Sequence, residues 1–156
     1  MKIFITNSAK ETQKIGRGLA KKILAQRQKD KKERSVVLEL IGDLGGGKTT
    51  FLQGFASGLD IKEKILSPTF VIMKSFKPKN NNDFVFYHMD SYRLRDSKDA
   101  VQIGLKDIIK NPKAIIAIEW AEKIKPILPK NTLKIKFIFL EKNKRKLLLD
   151  IPYTIR

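Results

Sequence analysis

The sequence predicts an α/β fold of three layers, in which helices cover both faces of a mixed, mainly parallel central sheet. Two nearly uninterrupted apolar runs, 36–41 and 114–120, are typical of strands buried on both faces of a parallel sheet. Apolar residues at helical spacing occur before and after the first run, as in alternating strands and helices. Two further pairs of apolar runs flank turn-forming or charged residues, which predicts antiparallel hairpins added to the parallel core.

The first predicted elements are a short strand and a long helix. Residues 2–5 (KIFI) form the strand, and Ser8 with Glu11 three residues later has the pattern of a capping box at the start of a helix. The charged segment 27–35 is predicted to be an exposed loop after this helix. Between the capping box and this loop, five residues recur at helical spacing, namely Thr12, Ile15, Leu19, Ile23 and Leu24.

The middle of the chain contains the first buried strand and the first hairpin. Strand 36–41 is followed by a glycine-rich segment and a predicted helix over 49–59. Strands 70–76 and 83–90 are then predicted to pair as a hairpin. Their connection, 77–82 (KPKNNN), contains turn-forming residues and no residue typical of a core.

The last third repeats this alternation. Residues 97–110 are predicted to form a helix, and 114–120 (AIIAIEW) the second buried strand. Strands 132–140 and 147–153 then form a second hairpin around the charged turn 141–146.

Length and composition restrict the class of protein. At 156 residues the chain suits one well-filled core, so residues 1–156 are predicted to form a single domain. The absence of Cys excludes a disulfide framework and a sulfur-rich zinc site, and a single His argues against a histidine metal cage. The N-terminus has no apolar core of signal-peptide length, and no run approaches about 18 apolar residues. We therefore expect a cytoplasmic protein with no membrane segment.

The formal net charge of +17 comes from 33 basic and 16 acidic residues. Such a charge attracts polyanions. Only seven of the basic residues are Arg, however, and the lysines are spread along the whole chain. We interpret the charge first as a lysine-rich solvated surface, with weak affinity for tRNA or another polyanion as the alternative.

The glycine-rich segment 42–49 (GDLGGGKT) matches the phosphate-loop pattern G-x-x-x-x-G-K-[ST] at each fixed position. Glycines permit backbone angles that side chains forbid, so successive N–H groups can surround phosphate oxygens. We expect Lys48 at the β- and γ-phosphates, the Thr49 hydroxyl at Mg²⁺ and Thr50 near the α-phosphate. The fold is therefore predicted to be P-loop NTPase-like. The predicted nucleotide-binding residues are Gly42, Asp43, Gly45, Gly46, Gly47, Lys48, Thr49 and Thr50.

The nucleotide is predicted to be ATP. Guanine-specific members of this class use the pattern N-K-x-D for the base. The nearest match, 143–146 (NKRK), has Lys146 where the carboxylate belongs. Without that acceptor, ATP with Mg²⁺ is favoured over GTP.

Polar residues at the ends of apolar strands are the candidates for catalysis and metal binding. Glu119 ends one apolar run and Asp90 another, at the strand ends where ligands bind in open α/β sheets. Both are predicted to lie near Mg²⁺, where a carboxylate can order the metal through water or polarise an attacking water. His88 is interpreted first as a hydrogen-bonded structural residue. Ser67 and Thr69 lie in a proline-containing loop and either sense the γ-phosphate or form an ordinary turn.

Five segments in this order resemble one family closely: GDLGGGKTTF, SPTF, HMDSYRL, IGLKDI and IEWAEKI. The family is the bacterial tRNA threonylcarbamoyladenosine biosynthesis ATPase, TsaE (formerly YjeE), and the resemblance runs from about Ser8 to the C-terminal hairpin. It implies a small ATPase that works with a complex of two partner proteins, the threonylcarbamoyl-transferase complex. Together they modify the adenosine next to the anticodon of tRNAs that read ANN codons. In the family the ATPase resets its partners and does not itself transfer the group.

The resemblance also implies roles for individual residues. Lys48 and Thr49 bind phosphates and Mg²⁺, and Glu119 is the second carboxylate beside the metal. Thr69 belongs to a switch-like loop and Asp90 supports hydrolysis. The resemblance places Trp120 beside the site. It also implies that the segment from Ser8 to Thr12 and the final hairpin near Arg145 flank the adenine.

Two other functions fit parts of the sequence. A small-molecule or nucleoside kinase shares the phosphate loop, but such kinases usually carry an arginine-bearing lid, and here only Arg93 and Arg95 cluster. A basic nucleic-acid-binding module that holds ATP only as a ligand is the third interpretation. The lack of exposed aromatic residues interleaved with Arg is counted against it.

Overall fold

A computed structural model describes residues 1–29, 34–79 and 83–152. The strands are β1 (Lys2–Thr6), β2 (Val36–Ile41), β3 (Met73–Phe76), β4 (Val85–Asp90), β5 (Ala114–Glu119), β6 (Leu133–Glu141) and β7 (Lys144–Asp150). The helices are α1 (Ala9–Lys29), α2 (Lys48–Gly58), α3 (Ser97–Gln102) and α4 (Leu105–Lys110), followed by a 3-10 helix (Ala121–Ile127). None of the helices in these three ranges is both long and apolar enough to cross a membrane.

The strands form one seven-stranded sheet in the order β1-β7-β6-β2-β5-β4-β3. The central strands β6, β2, β5 and β4 are parallel to one another. On one side β7 and β1 are added antiparallel, and on the other side β3 pairs antiparallel with β4. This topology confirms the predicted mixed, mainly parallel sheet with antiparallel hairpin additions.

Helices pack on both faces of the sheet, which confirms the three layers. One apolar core joins α1 and α2 to the sheet, with Phe51, Phe55 and Phe86 among its fully buried side chains. The other core lies under α3, α4 and the 3-10 helix and includes Ile116 and Ile118. Alternate residues of β2 and β5 enter opposite cores, because successive side chains of a strand point to opposite faces. That explains why these strands are apolar almost throughout.

Helices α1 and α2 approach closely through glycines. A Cβ atom at Gly16 would lie 2.3 Å from the carbonyl oxygen of Phe51, and one at Gly54 would lie 2.0 Å from the carbonyl oxygen of Gln13. These distances are far inside van der Waals contact, so only glycine fits either position. The two helices therefore hold the segment before α1 and the loop before α2 in a fixed relation.

The prediction of one helix over 97–110 is wrong in one respect, because this segment forms two helices, α3 and α4. Gly104 has a φ of 82° and separates α3 from α4, and its N–H donates to the carbonyl of Val101 at 3.0 Å. Asp96 caps α3 by accepting from the backbone N–H of Lys98 at 2.8 Å. A positive φ is accessible to glycine at little cost, so the helix ends where the glycine allows a turn.

The prediction of a loop over 27–35 is also wrong at its first residues, because α1 continues to Lys29. The guanidinium of Arg27 donates to the carbonyl of Pro112 at 2.8 Å, which ties the last turn of α1 to the segment before β5. Residues 30–33 of the predicted loop lie outside the described residues, as do 80–82 of the predicted 77–82 turn and residue 153 of the predicted last strand.

Several strand bounds differ from the predicted ones. Strand β3 begins at Met73 and not at residue 70, because the N–H groups of Val71 and Ile72 both donate to the carbonyl of Pro68 and form a turn. Strand β5 ends at Glu119, since Trp120 adopts a left-handed backbone with φ 58°. The 3-10 helix that follows was not predicted. Strand β4 begins at 85 and not at 83, and β6 begins at 133 and not at 132. Strand β7 begins at 144 and not at 147, so the turn of the second hairpin is 142–143 and not 141–146.

Candidate functional site

The glycine-rich segment forms a loop between β2 and α2, at the carboxyl edge of the parallel strands. Three of its glycines have positive φ angles, with values of 146° at Gly42, 74° at Gly45 and 101° at Gly47. A Cβ atom at Gly42 would also lie 2.6 Å from the carbonyl oxygen of Phe137 on β6. The pattern is thus explained by backbone geometry, because side chains at these positions would be strained. The loop leads directly into α2, which begins at Lys48.

Lys48 is buried at the centre of this edge. Its Nζ atom donates to the carbonyl oxygens of Gly42 at 2.6 Å and Asp43 at 3.0 Å. The same atom lies 3.9 Å from Glu119 Oε2 and 5.5 Å from the centre of the Trp120 ring. A lysine held among carbonyls, a carboxylate and a ring is a positive charge positioned inside the site.

Asp90 and Glu119 end neighbouring strands and are paired in the register of β4 with β5. Both carboxylates are buried. Asp90 Oδ2 accepts from the Thr69 hydroxyl at 2.8 Å, and Oδ1 accepts from the backbone N–H of Tyr92 at 2.9 Å. Thr69 lies 2.8 Å from the hydroxyl of Ser67, so the proline-containing loop contacts the end of β4 directly.

Glu119 has a second buried partner in His88. The Nε2 atom of His88 lies 2.9 Å from Glu119 Oε1, on the oxygen that does not face Lys48. An ionised carboxylate only accepts hydrogen bonds, so in this contact Nε2 carries the hydrogen. Nδ1 of His88 is buried and has no hydrogen-bond partner among the described residues. Glu119 is therefore held between an imidazole and a lysine.

A small cavity of about 120 Å³ lies beside the phosphate loop. It is formed where the start of α1 and the β6–β7 turn meet the loop, and the residues that line it are Ser8, Ala9, Thr12, Gly45, Gly47, Thr50, Lys142, Asn143 and Arg145. The start of α1 is ordered by the predicted capping pattern, since the N–H of Glu11 donates to the Ser8 hydroxyl at 3.2 Å. The Glu11 carboxylate in turn accepts from the N–H of Asn7 at 2.8 Å.

Arg145 connects the β6–β7 turn to the phosphate loop. One of its terminal nitrogens donates to the carbonyl of Glu141 at 2.8 Å, and the other donates to the carbonyl of Gly45 at 3.3 Å. Its guanidinium lies 4.5 Å from the centre of the Phe139 ring. These contacts place an arginine, distant by 100 residues from Gly45 in sequence, at the wall of the cavity.

Exposed aromatic rings do lie against arginines, contrary to the expectation from sequence. Arg93 lies 4.6 Å from the ring centre of the exposed Phe70, and Arg145 lies over the exposed Phe139. Sequence spacing did not reveal these pairs, because each forms between residues on different elements. Because these pairs are present, a lack of them does not weigh against nucleic-acid binding.

The donor set at this edge fits Mg²⁺. The described residues contain no group of three or more His, Cys, Asp or Glu that could hold a metal by themselves. Mg²⁺ is usually bound by one or two carboxylates together with substrate phosphates and water. Asp90 and Glu119 at neighbouring strand ends, with Thr49 in the first turn of α2, provide that type of set.

The predicted site residues thus fall into two adjoining groups. Lys48, Glu119, Asp90 and Thr69 lie together at the strand ends, whereas Ser8, Thr12, Thr50 and Arg145 line the cavity on the other side of the phosphate loop. Lys142 and Asn143 also line the cavity and were not among the predicted site residues. Nothing in their residue type distinguishes them from other turn residues, and only their position next to Arg145 could have indicated them.

Comparisons with known proteins point to one family. The family described as threonylcarbamoyl adenosine biosynthesis protein TsaE matches residues 6–147. The tRNA threonylcarbamoyladenosine biosynthesis protein TsaE of Treponema pallidum is 35% identical over 115 residues, which cover 74% of this chain and 82% of that protein. The protein of the same name from Rickettsia felis is 32% identical over 144 residues, covering 92% of this chain and 76% of that protein.

A third relative and a solved structure agree with this. The Bacillus subtilis TsaE protein is 42% identical over 99 residues, and the match spans 64% of this chain but only 59% of the relative. The crystal structure of Bacillus subtilis YdiB has a TM-score of 0.72 at 30% identity and covers 95% of this chain and 83% of that chain. By the family match over residues 6–147, this chain belongs to the TsaE family of tRNA threonylcarbamoyladenosine biosynthesis proteins.

Proposed function

We propose that this chain binds and hydrolyses ATP as a component of the tRNA threonylcarbamoyladenosine modification machinery. It would act with the threonylcarbamoyl-transferase complex of two partner proteins on ANN-decoding tRNAs. The observation that carries the ATPase activity is the buried group at the carboxyl edge, in which Lys48 lies 3.9 Å from Glu119 and Thr69 donates to Asp90. The names of the relatives support the tRNA-modification context.

Phosphate binding follows from the loop and Lys48. The N–H groups of the glycine-rich loop and the positive end of α2 favour an anion at this position. Lys48 is already buried among carbonyl oxygens, and the β- and γ-phosphates of ATP would provide stronger partners for its ammonium group. Thr49, Asp90 and Glu119 would hold Mg²⁺, directly or through water. When bound, Mg²⁺ would neutralise charge that develops on the phosphate oxygens.

Hydrolysis requires a water oriented in line with the γ-phosphate. In the reaction the water oxygen bonds to the γ-phosphorus, the bond to the β–γ bridging oxygen breaks, and ADP and phosphate are released. Glu119 is the residue best placed to orient or polarise this water, since His88 and Lys48 fix its two oxygens. Asp90 and Thr69 support it from the neighbouring strand end. Such positioning is the main contribution a protein makes to phosphoryl transfer.

The cavity next to the loop is proposed to receive the nucleoside part of ATP. It lies beside Gly47 and Thr50, on the side of the loop where Ser8, Thr12 and Arg145 converge. Hydroxyl groups and a guanidinium offer hydrogen bonds to a ribose or a base. The chain lacks the N-K-x-D pattern that selects guanine, so ATP is the proposed nucleotide.

The first experiment uses Trp120, which is the single tryptophan and lies beside Lys48. Its fluorescence is followed during titration with ATP·Mg²⁺ and with GTP·Mg²⁺, and phosphate release is then measured with and without the partner pair. We expect an ATP-selective change and a release rate that rises when the partners are added. Tight ATP binding without hydrolysis in either case would favour the kinase interpretation. No response to either nucleotide would contradict the phosphate-loop assignment.

Two substitutions with matched controls test the residues. Lys48→Ala and Glu119→Ala are both expected to abolish tRNA modification while the fold is retained. Lys62→Ala and Glu122→Ala replace exposed residues of the same types and should leave modification unchanged. Normal modification by either site variant would show that the role given to that residue is wrong.

A further inference from the structure

The loop before β3 exposes apolar side chains next to the proposed catalytic carboxylates. Phe70 is 85% exposed, Val71 65% and Leu66 59%. Tyr92, two residues after the end of β4, is 55% exposed. The Thr69–Asp90 hydrogen bond and the contact of Arg93 with Phe70 join this loop to the segment after β4. We call these four residues, Leu66, Phe70, Val71 and Tyr92, the Phe70 surface.

Folding does not explain this exposure. The Phe70 surface adds little to either core, while Ile72 beside it has a φ of 65°. A β-branched residue rarely adopts such a left-handed backbone, because its side chain is crowded there. Strained backbone beside exposed apolar side chains is typical of segments that are kept for contact with another molecule.

The charges around the Phe70 surface indicate the type of molecule. Arg93 lies over the Phe70 ring and Lys123 lies 5.1 Å from the centre of the Tyr92 ring. Both residues are exposed, and the Lys123 ammonium donates to the backbone carbonyls of Tyr92 and Leu94. Neither cation forms an ion pair with a carboxylate among the described residues, so both charges are left without a neutralising partner there. A complementary surface would therefore be apolar at its centre and carry carboxylates at its rim.

A second copy of this chain does not meet that description. It would bring the same Arg93 and Lys123 to the contact and add a net charge of +17 to another of +17. A single-stranded RNA could stack on Phe70 or Tyr92, but Leu66 and Val71 have no face on which a base stacks. The aliphatic members of the surface favour a protein.

We infer that the Phe70 surface is the docking site for a partner protein whose contact face is apolar at the centre and acidic at the rim. This inference rests on the proposed function, which identifies that partner as the threonylcarbamoyl-transferase pair. The loop that carries the surface also carries Thr69, the donor to Asp90. Docking would therefore act on the residues proposed to support hydrolysis, which gives a route for the partners to change the hydrolysis rate.

The test compares one substitution at two places. Val71→Lys places a cation on the Phe70 surface and keeps the backbone N–H that donates to Pro68. Ile3→Lys is the matched control, since Ile3 is 54% exposed on β1, at the opposite edge of the sheet. Strand β1 is six strand-to-strand spacings away from β3 in the sheet, which is a distance of roughly 29 Å at about 4.8 Å per spacing. Leu66→Lys is a second variant on the surface.

Affinity for the purified partner pair is measured by sedimentation or surface immobilisation, with ATP affinity and basal phosphate release measured in parallel. We expect Val71→Lys and Leu66→Lys to weaken partner binding about tenfold or more, with ATP affinity and basal release unchanged. Ile3→Lys should bind the pair normally. Normal partner binding by both surface variants, or loss of binding by Ile3→Lys alone, would overturn the inference.

Two further outcomes separate the inference from its alternatives. If the surface variants bind the pair normally and bind tRNA more tightly, the surface contacts RNA and the inference is wrong. If the unmodified chain hydrolyses ATP but does not bind the pair, the partner part of the proposed function fails together with the inference. Loss of partner binding by the surface variants alone is a different result, because there the unmodified chain still binds the pair.

Discussion

His88 Nε2 lies 2.9 Å from Glu119 Oε1, and both side chains are buried at neighbouring strands of the sheet. His88 is therefore a positioning residue for the carboxylate that faces Lys48. This contact holds Oε1 of Glu119, while Oε2 faces Lys48 at 3.9 Å. The sequence favoured a hydrogen-bonded structural histidine over one with a direct chemical role, and the structure shows that its partner is Glu119.

Replacement of His88 by Leu is expected to lower the rate of ATP hydrolysis about tenfold or more, because Glu119 loses its buried donor. ATP affinity should change less than about threefold, since Lys48 and the phosphate loop remain. His88→Gln restores an N–H donor and should recover part of the rate. Single-turnover phosphate release, with ATP affinity from Trp120 fluorescence, measures both. An unchanged rate in His88→Leu would show that the contact only stabilises the fold.

Removal of the Thr69 hydroxyl tests the bond to Asp90. A hydrogen bond to a charged group contributes about 1.5–3 kcal/mol, so Thr69→Val should slow hydrolysis by roughly 10- to 100-fold if that bond orients Asp90 in the transition state. Thr69→Ser keeps the hydroxyl and should retain most of the rate. Ser67→Ala, which removes the hydroxyl that contacts Thr69, serves as the milder comparison. Equal rates in Thr69→Val and Thr69→Ser would count against a role for the bond.

Arg145 is expected to affect binding more than turnover. Arg145→Gln removes a cation and the contact to Gly45 at the cavity wall, so the dissociation constant for ATP should rise about tenfold with little change in the hydrolysis rate at saturation. Lys146→Gln is the control, because the neighbouring residue of a strand points to the opposite face. The dissociation constant is measured by the fluorescence titration, and the hydrolysis rate at saturation is measured by phosphate release. Equal losses of affinity in the two variants would indicate a general charge effect.

Glycines in α1 offer a matched pair for stability. Gly16→Ala places a Cβ atom 2.3 Å from the Phe51 carbonyl oxygen and should lower the free energy of unfolding by about 1–3 kcal/mol. Gly18→Ala has no atom within 4 Å of the new Cβ, so it should raise that free energy by up to about 1 kcal/mol through helix propensity. Urea unfolding followed by circular dichroism measures both. The same sign for both variants would contradict the close approach of α1 to α2.

Local patterns in the sequence were sufficient for most of the fold. The apolar runs located β2 and β5, the capping residues located the start of α1, and both hairpins were found. The misplaced bounds occur where a single residue has a backbone that sequence periodicity does not reveal. Gly104 divided a helix, and Trp120 ended a strand with a left-handed turn. Ile72 similarly delayed the start of β3.

The sequence by itself located the glycine-rich loop and the residue types that are proposed to bind phosphate. Its fixed glycines, Lys48 and Thr49 are adjacent in the chain, so their spacing specifies their geometry without help from distant residues. The carboxylates Asp90 and Glu119 were also accessible to sequence analysis, because polar residues at the ends of buried parallel strands lie at one edge of the sheet.

Only the tertiary structure decided which distant residues surround this loop. The strand order places β6 next to β2 and β7 next to β6, which brings Arg145 to Gly45, and the packing of α1 on α2 brings Ser8 and Thr12 to the same cavity. The neighbouring registers of β4 and β5 allow His88 to reach Glu119. Exposure of the Phe70 surface is likewise a property of the folded chain. Contacts between distant segments depend on sheet order and helix packing, which local spacing does not specify.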